Sequence, residues 1–335
     1  ERQRSLHTAD IMQAAVLPSY GPPSVFKVQT VPRPHCTPTQ ILVRVHATSV
    51  NPADCKQRSG NLRRVLSHRF PCILGQDVSG VVEEVGARCA RFKVGDRVYG
   101  CTPPGQGCSA ELVAVEESEA APIPSALSLD DAAAVPTVAC TAFTAVRLAG
   151  DAAGVGRCVL IHGVSGGVGS AAAQLLLARG CTVAGTCSAA NLSYVGGLGV
   201  SPALDYASDW AAVLGAEQRE GAARFALVLD CVGGDDKWRA SLPLIAPGGR
   251  CARRRDADRE TPPPRIHWLR ERAGSPPLIP PPWPGTSPWS ARCATAARSP
   301  SRSRRCCGRR GCSRAGCSAT RGAAPRTPSR SPSTA

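Results

Sequence analysis

No apolar run in this 335-residue chain reaches the roughly 18 residues that a membrane-crossing helix needs. A span is therefore not expected. Before residue 251, closely spaced cysteine pairs are missing as well. Of the 17 cysteines, eleven lie before residue 251, and they are scattered: Cys36, Cys55, Cys72, Cys89, Cys101, Cys108, Cys140, Cys158, Cys181, Cys187 and Cys231. Several sit in apolar runs, as in Cys158-Val159 and Cys181-Thr182-Val183. That usage suits small buried hydrophobes in a reducing compartment better than a disulfide framework. The chain begins at Glu1 rather than Met, so a targeting peptide is expected to be missing or incomplete.

The last 85 residues lack more. Residues 251–335 have no Lys, Val, Asn, Gln, Phe, Tyr or Met, and they carry 18 arginines against 4 acids. The first 250 residues are nearly balanced, with 22 basic and 21 acidic side chains. The basicity thus belongs to the tail and says nothing about the body. Stretches such as PPPWPGTSPWS and SPSRSRRCCGRRGCSRAGCS hold almost no run able to build a core. The expectation is disorder from about Cys251, in a palette that a GC-rich frame produces when translated out of register. A frameshift or mis-spliced gene is the preferred reading. The arginines have the charge for phosphate contacts, but no aromatics are interleaved among them, so nucleic-acid binding is disfavoured.

What is present centres on Val159–Gly180, VLIHGVSGGVGSAAAQLLLARG. A short apolar run stops at Gly163. Glycines recur at Gly163, Gly166 and Gly169, and a helix-compatible run follows. Strand, glycine turn, helix is the layout that holds a dinucleotide. Glycine lets the backbone approach a pyrophosphate, and the helix start offers N–H groups and a positive dipole end. The bland alternative is a glycine-rich loop closing an ordinary βα unit.

Around it the chain divides. Met12–Val16, Val25–Val31, Ile41–Ala47, Gly75–Gly86, Gly95–Tyr99 and Gly107–Val115 read as strands. After Pro124 a helix is expected from Ser128, with Ser128 as its cap. From Arg157 strands and helices alternate, a parallel, doubly wound pattern. The expected organisation is a β-rich domain over 12–125, a nucleotide-binding domain over 126–250, and the tail. A fifth parallel strand should follow Pro247-Gly248-Gly249-Arg250. CARRRDADRE reads as unable to supply it, so the nucleotide domain is expected to be incomplete.

Four segments carry a resemblance: Ser49-Val50-Asn51-Pro52-Ala53-Asp54, Gly75-Gln76-Asp77-Val78-Ser79-Gly80, Val94-Gly95-Asp96-Arg97-Val98, and Val164-Ser165-Gly166-Gly167-Val168-Gly169. With them the chain resembles the medium-chain dehydrogenase/reductase superfamily, and SVNPxD with SGGVG resembles its quinone oxidoreductase branch. The resemblance covers about residues 12–250. It implies an α/β fold, a GroES-like β-domain plus a Rossmann domain, and reduction of a quinone or enone by hydride from NADPH. A homodimer and a mitochondrial location are implied too, with a cytoplasmic location as the alternative. Zinc-dependent relatives put Cys where Asn51 stands and His where Gln76 stands, so no metal is expected.

The implied cofactor-binding residues are Ser165, Gly166, Gly167, Val168, Gly169, Ser188, Tyr206, Cys231 and Val232. The strand end Thr186-Cys187-Ser188 has no Asp or Glu for a ribose 2′-hydroxyl, which favours NADPH over NADH. Against that, Asn191–Gly197 lacks the basic residue often found there. Ser188 is alternatively a plain helix cap. Asn51 and Asp54 are implied at the nicotinamide end as catalytic residues; the competing reading is local Asx-turn bonding. The family's aromatic after Arg58-Ser59-Gly60 is replaced by Asn61-Leu62, leaving water or Asn51 to supply the product's proton. His162 reads as a packing residue. Two other functions stay open: a truncated, inactive relative, and a nucleotide-binding protein whose Arg-rich tail contacts nucleic acid.

Overall fold

The computed structural model describes residues 10–104 and 106–253, and every described residue falls within one packing unit. The expectations for the tail beyond Arg253 lie outside the described residues.

The first part is built of antiparallel strands. β1 (Ile11–Leu17) pairs with β2 (Lys27–Pro32), Ile11 opposite Pro32. β3 (Gln40–Ala47) is followed by a short helix, α1 (Pro52–Arg58), and by β4 (Cys72–Ile73), which joins the far side of β1. β5 (Asp77–Val85), β6 (Arg97–Cys101), β7 (Leu112–Glu116) and β8 (Ala120–Pro122) complete a five-stranded sheet with β3, in the order β7-β3-β5-β6-β8. Period two places Ile41 and Val43 on one face with Val78, Val82, Val98 and Val113. Leu42 points the other way, into a second cluster with Met12, Leu112 and Ala114. Both faces of β3 are therefore buried over residues 41–43, while Arg44 and His46 are exposed.

Two helices lead onward, α2 (Leu129–Ala133) and α3 (Pro136–Ala149). Ser128 caps α2, its hydroxyl accepting the Asp131 N–H at 3.0 Å. Alternation then follows: β9 (Cys158–His162), α4 (Gly167–Ala178), β10 (Thr182–Cys187), α5 (Leu192–Gly197), β11 (Ala203–Asp205), α6 (Trp210–Arg219), β12 (Phe225–Asp230), α7 (Asp235–Ser241) and β13 (Ile245–Arg253). All pairings in this sheet are parallel, in the order β11-β10-β9-β12-β13. β9 sits at the centre. Val159 and Ile161 pack into a cluster with residues of α3 and α4, and Leu160 packs on the opposite face with Trp210 and Leu214. No helix among the described residues is long and apolar enough to cross a membrane.

One expectation is corrected. The fifth parallel strand does form: Leu227, Val228 and Leu229 pair with Arg250, Cys251 and Ala252. Those residues look too polar for a parallel strand buried on both faces. Among the described residues β13 is at the edge of this sheet and pairs with β12. It needs few apolar residues, and Ala252 supplies a buried one. Arg250 does not interrupt the core. Its Nη1 reaches the Ala149 carbonyl at 2.6 Å, at the C-terminus of α3, where a cation complements the helix dipole.

Candidate active site

The glycine turn is stapled to its neighbours. The N–H groups of Gly163 and Val164 both donate to the Thr186 carbonyl, at 2.9 and 3.1 Å, which locks the end of β9 against the end of β10. Gly163 has φ of 70°, where a side chain is strained. Gly166 is the N-cap of α4, and its carbonyl accepts Ser170 N–H at 2.8 Å. A Cβ at Gly169 would lie 2.3 Å from the Gly163 carbonyl oxygen, so the helix can pass this close only without one. At Gly166 a Cβ would meet only that same oxygen, at 3.3 Å, and otherwise open space. That open space is where a pyrophosphate is expected. The first N–H groups of a 12-residue helix lack intrahelical acceptors and carry its positive dipole end.

Ser165 and Ser188 are brought together by a residue that sequence reasoning treated only as part of a helix. Asn191 Nδ2 donates to Ser188 Oγ at 3.1 Å and to Ser165 Oγ at 3.2 Å. Thr186 is not part of this group, since its Oγ1 is 2.9 Å from His162 Nδ1. Tyr206 lies next to Ser188 through the backbone: its N–H donates to the Cys187 carbonyl at 2.8 Å. Tyr206 is 53% exposed, and Lys237 Nζ stands 5.8 Å from its ring centroid. α5 carries no cation, and α7 places Lys237 beside Tyr206. Lys237 is the single lysine after residue 93. That scarcity was the available signal.

The loop after β12 joins the same edge. Cys231 N–H donates to the His162 carbonyl, and Asp230 Oδ1 accepts from the N–H groups of Val232 and Gly233. This places Val232 against the glycine turn, where a Cβ on Gly163 would fall 2.5 Å from Val232 Cγ2. Val232 remains 48% exposed, an apolar surface beside the turn.

Asn51 and Asp54 sit at the start of α1, each 7% exposed. The Asp54 carboxylate accepts the Asn51 N–H at 2.8 Å, one half of a capping box. Burial raises the Asp54 pKa, and Asp77 adds to the rise, while the bond from Asn51 opposes it. Asp54 Oδ1 is buried without a partner. The hub of this region is Asp77, whose part sequence reading missed although GQDVSG was among the quoted segments. Asp77 is fully buried. Its Oδ2 accepts from Asn51 Nδ2 and Ser49 Oγ, and its Oδ1 accepts from Thr137 N and Thr137 Oγ1, at the first turn of α3.

Two family descriptions match the chain. "Alcohol dehydrogenase GroES-like domain" matches residues 37–125, and "Zinc-binding dehydrogenase" matches residues 167–253. An alcohol dehydrogenase superfamily protein from Novosphingobium aromaticivorans is 36% identical in sequence. Its structure superposes with a TM-score of 0.64 over 72% of this chain and 71% of that one. The chain belongs to the medium-chain dehydrogenase/reductase superfamily, in its quinone oxidoreductase branch. The quinone oxidoreductase of Coxiella burnetii is a second structural relative, at 32% identity and a TM-score of 0.61, covering 72% of this chain and 75% of that one. The human mitochondrial NAD(P)H oxidoreductase RTN4IP1 is 37% identical over 248 residues, which is 68% of this chain and 61% of the human protein. The chain thus spans about three-fifths of the length of that curated relative.

The zinc in one family description finds no matching donor set here. Among the described residues no group of three or more His, Cys, Asp or Glu side chains is placed to hold a metal ion. Asn51 already points its amide nitrogen at Asp77, and a nitrogen bearing hydrogens offers zinc nothing. Cys101 and Cys108 are separated by six residues. Burial pushes each thiol up to about 12, opposed by the neighbouring hydroxyls of Thr137 and Thr102. His162 is fully buried between Thr186 and Ser241, with Trp210 against its ring, and burial pushes its pKa down to about 4. It is a neutral packing residue.

Proposed function

We propose that the chain is a zinc-independent reductase that uses NADPH to reduce a quinone or enone. One observation carries the reading. The end of β10 presents Ser188 and no acid, and Asn191 gathers Ser188 and Ser165 beside the glycine turn. An acid there would repel a 2′-phosphate; two hydroxyls, an amide and the nearby Lys237 accept one.

When bound, NADPH supplies a hydride, which carries two electrons to the acceptor. The chain's own residues do the rest. The turn from Ser165 to Gly169 holds the pyrophosphate at the helix start. Ser188 and Tyr206 flank the adenosine phosphate. Cys231 and Val232 form the wall next to Gly163. Asn51 stands at the substrate end, and Asp54 acts through it as a positioning residue. An electron-poor quinone or enone takes up hydride without a Lewis acid, and the product's second hydrogen arrives as a proton from water. A mitochondrial location is carried over from the human relative's name, and fractionation of cells that express the chain tests it.

Titrating the full chain with NADPH and NADH tests the cofactor assignment. NADPH binds more tightly, and Ser188→Asp costs NADPH about tenfold or more in affinity, the loss of one charge-assisted bond plus repulsion. Tighter NADH binding by the unaltered chain would overturn the assignment. Elemental analysis of active protein tests the second half, and a requirement for stoichiometric zinc would refute it.

A further inference from the structure

Gln76 has a fixed backbone and a free side chain. Its carbonyl accepts the Thr102 N–H at 2.7 Å, and the carbonyl of Gly75 just before it accepts the Cys108 N–H at 3.0 Å. Thr102 Oγ1 donates to the same Gln76 carbonyl at 3.2 Å. The next residue is Asp77, which holds Asn51 and Thr137. Gln76 thus stands one residue from the hub of the candidate site. It is only 7% exposed, yet its amide makes no hydrogen bond among the described residues. The enclosed, unpartnered side-chain atoms include Asp54 Oδ1 but neither amide atom of Gln76. The Gln76 amide therefore reaches open space from an otherwise buried residue, and Asp54 Oδ1 does not. Asn51 differs again, because its Nδ2 already donates to Asp77 Oδ2 at 2.9 Å. A primary amide in a buried residue is costly unless something completes its hydrogen bonds. Water does so in the resting protein. A ligand carbonyl oxygen, which only accepts, takes the place of that water on Nε2.

We propose that Gln76 is a catalytic residue whose Nε2–H donates to the carbonyl oxygen of the quinone or enone that is reduced. The proposal deepens the reading of the chain as a reductase, and rests on it. When hydride adds to the β-carbon of an enone, the π electrons move to oxygen and an enolate forms. A proton from water then completes the α-carbon. The negative charge grows on the atom that Gln76 meets. A donor held there before the reaction stabilises the transition state more than the ground state, the part a Lewis acid would otherwise play. A quinone is more electron-poor and needs this donor less.

Gln76→Met keeps the length of the side chain and removes the donor; Gln76→Ala is the second variant, should the first disturb folding. Because the amide has no protein partner, Tm and the NADPH dissociation constant should stay at their wild-type values. With the full chain, kcat/KM for 2-cyclohexenone should fall about 100-fold, and for 1,4-naphthoquinone about tenfold or less. A structural role would lower both alike. A second readout needs no turnover. In infrared difference spectra without NADPH, 2-cyclohexenone labelled with 13C at its carbonyl should show a lower carbonyl frequency bound to wild type than bound to Gln76→Met.

An equal carbonyl frequency in the two proteins would overturn the proposal, as would the absence of any bound enone at saturating concentration. So would an equal loss with both acceptors, or a loss of NADPH affinity in its place, which would assign the amide to the nicotinamide carboxamide. A shifted carbonyl in a protein without NADPH-dependent turnover would sink the reductase reading and leave the hydrogen bond standing. Full turnover in both variants would do the reverse.

Discussion

Two glycines of one turn should fail in opposite ways when each is replaced by alanine. At Gly169 the new Cβ would stand 2.3 Å from the Gly163 carbonyl oxygen and 2.8 Å from Val164 Cα, both backbone atoms that cannot rotate away. That is roughly 1 Å short of ordinary contact, so α4 must lift from the turn. Overpacking of this kind costs about 1–3 kcal/mol, and alanine's better helix propensity returns about 1 kcal/mol at most. Because the clash is with backbone, the net loss should be about 2 kcal/mol, a drop of roughly 4–8 °C in Tm. At Gly166 φ is −76° and the Cβ would meet one oxygen at 3.3 Å, so strain is slight. Alanine is a poorer N-cap than glycine, which costs about 1 kcal/mol or less. The methyl instead enters the open space assigned to the pyrophosphate. NADPH affinity should fall at least tenfold, about 1.4 kcal/mol, while the fold holds. Calorimetry for stability and fluorescence titration for NADPH separate the two outcomes. Unchanged NADPH affinity in Gly166→Ala, or wild-type stability in Gly169→Ala, would refute this account of the turn.

Three further outcomes follow from particular side chains. His162 has a folded pKa near 4 against about 6.5 when unfolded; between these values the unfolded chain binds the extra proton, so its contribution to stability is complete above pH 6.5 and is lost as pH falls toward 4. Urea unfolding at pH 7, 5.5 and 4 should show that loss reduced in His162→Gln, and an identical pH dependence in the two proteins would count against it. Arg250→Ala leaves the carbonyl of Ala149 without its 2.6 Å donor and should cost about 1.5–3 kcal/mol, measured by the same unfolding; no change would mean that α3 does not need this cap. Exposed Cys55 should react with iodoacetamide at pH 8 while Cys101 and Cys108, pushed up to about 12 by burial, stay unmodified in native protein; labelling at either buried thiol, read by mass spectrometry, would contradict their environment.

Local pattern alone determined a good deal. Period two over Ile41–Ala47 and the apolar run before Gly163 specify strands because side-chain alternation and burial are properties of the strand itself. Ser128 as a cap and the glycine turn were readable for the same reason, since their bonding partners lie within a few residues. The quoted segments were enough to identify the superfamily. What tertiary structure decided were relations between distant residues. That β13 exists depends on its pairing with β12, which lets Arg250 reach back to α3 across 101 positions. Asn191 joining Ser165 to Ser188, and Lys237 standing by Tyr206, depend on strand order, which places the ends of separate strands side by side. The orientation of Asn51 depends on Asp77, 26 residues away, and Asp77 depends on Thr137, 60 residues further. A sequence records which groups can donate and accept; only the folded chain decides which donor meets which acceptor, and which groups remain to meet a ligand.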